Sequence, residues 1–209
     1  MLYNQSNYLN NIKNIMTKSF NYEIELRYTV NNPIKFKKRI NELGKKIGKV
    51  QYQKDTYFIP QHRDFLKSRP IKEWLRIRET LKGNSINYKN WIFKNGKTTD
   101  VCKELECNIS NPKTVHKILE FLDFKQIVVV EKRRQTWLYN KTKITLDNVV
   151  KLNPFVEIEI NGKFNNSKEA KIHINRIAKS LKLKHTQAAK HGYAIEILKM
   201  KHKTLKLNL

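Results

Sequence analysis

The chain has 209 residues, enough for one domain with a buried core, and sets 43 Lys and Arg against 18 Asp and Glu, a formal charge of +25. That charge favours polyanionic partners, whether nucleic acid, nucleotide triphosphate or polyphosphate, and says nothing about fold. No apolar run approaches the length of a membrane span, so no membrane partner is expected, and two cysteines cannot build a zinc site.

Residues 1–20 carry Lys13 and Lys18, no acid, and no continuous apolar stretch of the secretory kind. They read as an N-terminal arm, with an organellar presequence as the alternative. Residues 21–30 alternate as a strand and stop at Asn31-Asn32-Pro33, where Pro33 suits the first turn of a helix. That helix shows a mixed amphipathic pattern through Ile34, Arg39, Ile40, Leu43 and Ile47. A strand over 49–59 is closed by Pro60, and a polar loop leads to the strand EWLRIRET at 73–80. Gly83-Asn84 marks a turn before NYKNWIFK at 87–94, and Asn95-Gly96 is a hairpin signal leading into TTDVCKELECNI at 98–109. Ser110-Asn111-Pro112 opens a helix whose apolar positions are Val115, Ile118, Leu119 and Leu122. Strands resume at 125–139, 143–150 and 154–160. A helix over 167–183 aligns Ala170, Ile174, Ile177, Ala178 and Leu181, and a last helical segment spans 186–199. The pattern describes an α+β fold of about eight antiparallel strands with three or four helices, a single domain over 21–199 and a basic tail at 200–209.

Three Glu-x-Glu pairs concentrate the scarce acids: Glu23/Glu25, Glu104/Glu106 and Glu157/Glu159. Each lies in a strand, where residues i and i+2 share a side of the sheet, so each pair aims two carboxylates into one space. Clustered carboxylates repel unless a cation or basic side chains hold them. Bases follow the same spacing, as Arg76/Arg78 and Lys132/Arg134, with Lys94 in WIFK, Arg27 beyond Glu25, and Lys143, Thr145 and Asp147 in KITLD. Arg133 points the opposite way from its two neighbours. Turned outward, these faces would be a solvated surface with cross-strand ion pairs. Turned inward, they line a barrel with polar contents. The alternate residues Ile24, Leu26, Leu75, Ile77, Val156, Ile158 and Ile160 form apolar faces that amphipathic helices can cover from outside, which favours the inward arrangement. Cys102 and Cys107 are five apart on one strand, hence on opposite faces; they form no disulfide, and this usage fits a reducing, intracellular compartment.

The motifs, in their order along residues 21–199, resemble the CYTH superfamily, the triphosphate tunnel metalloenzymes. They are Glu23-Ile24-Glu25-Leu26-Arg27, QKDTYFIP at 53–60, LRIR at 75–78, the lysine strand ending at Lys94, KELE at 103–106, VVEKRRQTW at 129–137, ITLDNV at 144–149 and FVEIEI at 155–160. Two positions depart from the family: Arg27 stands where the opening signature has Lys, and Cys102-Lys103 where an arginine is common. The resemblance implies an eight-stranded antiparallel β-barrel, a tunnel with flanking helices that takes a triphosphate lengthwise. It implies Glu23, Glu25, Glu157 and Glu159 as catalytic metal ligands for Mg²⁺ or Mn²⁺, with Glu104, Glu106 and Asp147 as further ligands. Arg27, Arg76, Arg78, Lys94, Lys132 and Arg134 would grip the phosphates.

The class IV adenylyl cyclases, which convert ATP to cyclic AMP and pyrophosphate, are the branch most resembled. A triphosphatase acting on a nucleotide, thiamine triphosphate, tripolyphosphate or triphosphate-ended RNA is the alternative within the enzymes. A non-catalytic polyphosphate or nucleic-acid binder is the alternative outside them, although inward carboxylates serve a pure anion binder poorly without metal. The basic surface leaves RNA or another polyanion as a second partner, and the resemblance also implies a homodimer.

Overall fold

A computed structural model describes residues 24–68, 71–94, 97–184 and 192–201. The side chains of 93, 94, 97–101 and 201 lie outside that description. So do the expected N-terminal arm, Glu23, the Asn95-Gly96 turn and the basic tail.

The strands are β1 (Glu25–Thr29), β2 (Lys45–Pro60), β3 (Glu73–Thr80), β4 (Gly83–Lys94), β5 (Lys97–Ile109), β6 (Phe124–Tyr139), β7 (Thr142–Val149) and β8 (Phe155–Ile160). The helices are α1 (Pro33–Leu43), α2 (Pro112–Phe121), α3 (Ser167–Ser180) and α4 (Tyr193–Lys201). All eight strands join one antiparallel sheet in the order β1-β8-β7-β6-β2-β3-β4-β5. The sheet curls into a half-barrel, with β1 and β5 at its outer edges. Among the described residues no ladder joins those edges.

Asparagine starts three of the helices. The Asn32, Asn111 and Asn166 side chains accept from the backbone N–H of Lys35, Thr114 and Glu169 at 2.9, 3.0 and 2.9 Å, satisfying donors the first turn leaves open. Pro33 and Pro112 occupy the first turns of α1 and α2, where no N–H is needed. Gly44 ends α1 against β6, and a Cβ there would lie 3.0 Å from the Leu138 carbonyl oxygen, so the helix can meet the strand this closely only at glycine.

Period-two alternation gives the sheet an apolar outer face. Tyr28, Ile144, Leu146, Trp137, Val156 and Ile158 pack there beneath α1 and α3, which contribute Phe36, Ile40, Ile174, Ile177 and Ala178. Phe58, Ile77 and Leu119 continue that layer under α2. Trp137 is buried, meets Phe36 edge-on at 6.1 Å, and donates to Asn41 Oδ1 at 2.7 Å, a packing role. The expected apolar face of α1 needs correction. Ile34 is 81% exposed and Leu43 is also exposed, while Phe36, absent from the pattern, is 4% exposed. Phe36→Ala is therefore expected to cost about 3–5 kcal/mol of unfolding free energy and Ile34→Ala less than about 0.5, measured by urea denaturation.

One helix does not cover the outside. Tyr193, Ala194, Ile197 and Leu198 of α4 pack on Val128, Val130, Val149 and Phe155. These strand residues share the concave face with Lys132, Arg134, Asp147 and Glu157 by alternation. The concave face thus has an apolar end closed by α4 and a charged remainder.

Candidate active site

The charged remainder is a trough to which every strand contributes. Register places Glu25 and Arg27 of β1 opposite Glu159 and Glu157 of β8, with Lys143, Thr145 and Asp147 of β7 beside them. Arg134 and Lys132 of β6 follow, then Gln53 and Asp55 of β2. Arg76 and Arg78 of β3 face Asn87 and Ser85 of β4, and Glu104 and Glu106 of β5 close the series. The period of two thus brings the described sequence-derived candidates, on six separate strands, to one surface.

On the β1 side the charges interlock. Arg27 donates to Glu157 Oε1 through Nε at 3.0 Å and Nη2 at 2.7 Å, and its Nη2 stands 3.7 Å from Glu25. Arg134 forks onto both Asp147 oxygens at 2.8 and 2.6 Å and also donates to the second Glu157 oxygen. Lys132 Nζ lies 3.4 Å from Asp147, and Lys143 pairs with Glu159. Burial opposes ionisation of Glu157, but Arg27, Arg134 and Lys132 outweigh it and hold its carboxyl well below the usual range. Burial, and then the Arg134 guanidinium, hold the Lys132 ammonium below the ordinary lysine range.

Asp55 organises the β3 side. It is 1% exposed, accepts from Arg78 Nε and Nη2 at 2.8 and 3.1 Å, and lies 3.5 Å from Arg76 Nη1. Gln53 Nε2 donates to both of its oxygens at 3.0 and 2.9 Å. Burial raises its proton affinity, yet Arg76 and Arg78 prevail and depress its pKa below the usual carboxylate range. The Arg76 Nε is buried with no acceptor in the protein, a donor left open inside the trough. On the far edge Glu104 takes Lys89 at 3.0 Å and Asn87 at 2.5 Å, while Glu106 accepts from Ser85 at 2.7 Å.

Helix α4 reaches this array through Tyr193. Its hydroxyl donates to Asp147 Oδ2 at 2.9 Å, and its ring lies under Arg27 at 4.4 Å and Lys132 at 4.9 Å. Burial, then Glu157 and Asp147, push the phenol well above its ordinary pKa, so it stays protonated and a donor.

Residues 21–193 match the family model of the CYTH domain. The chain belongs to the CYTH family. A Methanocaldococcus jannaschii protein bearing the name "putative adenylate cyclase" is 30% identical over 138 residues, 66% of this chain and 75% of that one. The structure of the PH1819 protein of Pyrococcus horikoshii is similar with a TM-score of 0.70 and 26% identity, over 86% of this chain and 99% of that one. A Hippeastrum protein named as a "putative adenylyl cyclase", and described as having a dominant triphosphatase activity, shares the fold at a TM-score of 0.57 and 13% identity, over 86% and 96% of the two chains.

Within this CYTH trough the described cations and carboxylates are equal in number. Arg27, Arg76, Arg78, Lys89, Lys132, Arg134 and Lys143 stand against Glu25, Asp55, Glu104, Glu106, Asp147, Glu157 and Glu159. The chain's excess of positive charge therefore lies outside this set of residues. Of the expected ligands, Glu25, Glu157 and Glu159 are brought together on β1 and β8 with Asp147 next on β7, while Glu104 and Glu106 sit at the opposite edge. Glu23 and the Lys94 side chain lie outside the described residues. Among the described residues no three His, Cys, Asp or Glu side chains are gathered at one point. The neighbouring carboxylates of β1 and β8 are nonetheless the hard oxygen donors that Mg²⁺ and Mn²⁺ take. Cys102 is buried on the trough side, Cys107 is exposed on the other, and neither is in a disulfide. No helix among the described residues is long and apolar enough to cross a membrane.

Lys89 and Tyr193 escaped the sequence reading as site residues. Asp55 shares the two-residue period of Gln53 and Tyr57, but its position opposite Arg78 emerges only from the β2–β3 register. The depressed acids also set a pH dependence. For Glu157 and Asp55 the folded pKa lies below an unfolded value of roughly 4. Their stabilisation is complete above that value and is lost as pH falls through the folded pKa values. Unfolding free energy is expected to hold steady from about pH 7 to pH 5 on their account and to fall steeply below about pH 4, with the fall reduced in Asp55→Asn. Urea titrations at several pH values read this directly.

Proposed function

We propose that this CYTH chain is a divalent-metal-dependent enzyme that acts on ATP, forming cyclic AMP and pyrophosphate. One observation carries the reading. A continuous strip of recessed guanidinium and ammonium groups, interleaved with carboxylates, runs across the concave face from β1 to β5. CYTH proteins are divalent-metal dependent as a family, and the adenylate-cyclase name of the M. jannaschii relative agrees with the reaction.

A triphosphate carries several negative charges, and a trough balanced in its own charges attracts it best together with cations. Glu25, Glu157 and Glu159 fit a divalent ion by donor type, with Glu23 and Asp147 as further ligands. When bound, the ion supplies charge neutralisation at phosphate oxygens. The protein's own part is binding and orientation. Arg27, Arg134 and Lys132 on one side, and Arg76 and Arg78 on the other, would exchange carboxylate partners for phosphate oxygens, and the open Arg76 Nε would gain its missing acceptor. Held along the trough, ATP places its 3′-hydroxyl within reach of the α-phosphorus. A 3′-oxygen-to-phosphorus bond forms, the bond from that phosphorus to the bridging oxygen breaks, pyrophosphate departs, and the hydroxyl proton passes to solvent.

The test is product identification with ATP, tripolyphosphate or triphosphate-ended RNA in the presence of Mg²⁺ or Mn²⁺. Cyclic AMP and pyrophosphate in equal amounts support the proposal. Orthophosphate would replace it with a triphosphatase, and binding without turnover of any of the three would leave a polyanion binder.

A further inference from the structure

We propose that a second groove, on the opposite face of the sheet from the trough, binds single-stranded nucleic acid through its phosphate backbone. The groove lies between α1 and the turn that follows α3, and its volume is about 800 Å³. Lys35, Lys38 and Arg39 of α1 line one side and Lys182 and Lys184 the other, against a single acid, Glu42. Among the described residues none of these five cations is paired with a carboxylate. That separates them from the trough, where Arg27, Arg78, Lys132 and Arg134 each hold an acid. Five like charges facing one cleft repel one another, and an anion relieves that repulsion.

The shape narrows the choice of anion. Phe36 and Leu181, each 4% exposed, close the bottom of the groove, and the half-buried Tyr139 and Leu183 supply the apolar surface that the cations border. A bilayer is flat and cannot enter such a recess. An acidic peptide would satisfy the rim but would leave the Tyr139 ring without a planar partner. A single strand offers both parts at once, phosphates to cations on either side and a base to the Tyr139 ring and Leu183. The chain's excess positive charge, absent from the balanced trough, would steer that strand to this face.

The experiment is fluorescence anisotropy of a labelled oligouridylate of about a dozen nucleotides with the full chain, at salt from about 50 to about 200 mM. Five phosphate contacts predict a slope of log affinity against log salt of about −3.5. Lys38→Glu/Lys184→Glu is expected to weaken binding about tenfold or more and to flatten the slope by about 1.4, with turnover unchanged. Lys38→Arg/Lys184→Arg should keep binding, and excess tripolyphosphate with Mg²⁺, which fills the trough, should not displace the strand. The proposal is overturned if the charge-reversed variant binds like the parent or if tripolyphosphate displaces the oligonucleotide. Equal competition by oligoglutamate, or binding to phosphatidylserine vesicles with none to the oligonucleotide, overturns it equally.

Discussion

Glu159→Ala is expected to remove at least about 3 kcal/mol of transition-state stabilisation, about a hundredfold in turnover, while leaving the fold intact. Glu157→Ala is expected to lose the same activity and to cost about 3–5 kcal/mol of stability as well. The difference lies in what each carboxylate holds. Glu159 is 24% exposed and pairs with Lys143 at the open edge, where an ion pair contributes under about 1 kcal/mol. Glu157 is 8% exposed and lies beneath both Arg27 and Arg134, so its removal leaves two recessed guanidinium groups facing each other. Turnover measured beside urea denaturation for the two variants separates chemistry from folding. Retained activity in Glu159→Ala would remove that carboxylate from the ligand set.

Asp55→Ala should have the second largest effect. Asp55 touches no reactant on the proposed reading and acts through the two arginines it fixes. Its loss leaves Arg76, Arg78 and Lys132 without their shared counter-charge, which costs about 3–5 kcal/mol and lets two phosphate-binding groups move. KM for the triphosphate should rise more than kcat falls, and Asp55→Glu should recover part of the loss, because a second carboxylate restores the charge at a different reach. Calorimetric or kinetic comparison of the three proteins checks the order. Equal loss in kcat and KM for Asp55→Glu and Asp55→Ala would contradict a positioning role.

The eight-stranded arrangement was legible because alternation is a local signal. EWLRIRET coincides with β3, and the Glu-x-Glu and Arg-x-Arg pairs declare a shared face without knowledge of any partner strand. Asn-Pro at 32–33 and 111–112 marked two helix starts for the same local reason. What was hidden depends on register and on docking. Phe36 gives one apolar residue in a basic stretch, and only its contact with Trp137 makes it core while Ile34 is left outside. The apolar face of α4 is readable as Tyr193, Ala194, Ile197 and Leu198, but the side of the sheet it covers is not encoded in its period. Tyr193 entered the site through that docking, and Asp55 through the pairing of β2 with β3. The balance of charge within the trough was likewise invisible, since it counts residues from eight strands that sequence composition averages into a single excess.

The central claim is that the concave face receives the triphosphate and its metal. It is tested most directly by anomalous difference density in a crystal of this chain with Mn²⁺ and a non-hydrolysable ATP analogue. A manganese peak is expected at the β1–β8 carboxylates, Glu25, Glu157 and Glu159, with the phosphate chain between the Arg27–Arg134 cluster and the Arg76–Arg78 pair. Phosphates lodged in the groove between α1 and α3, with no manganese in the trough, would contradict it.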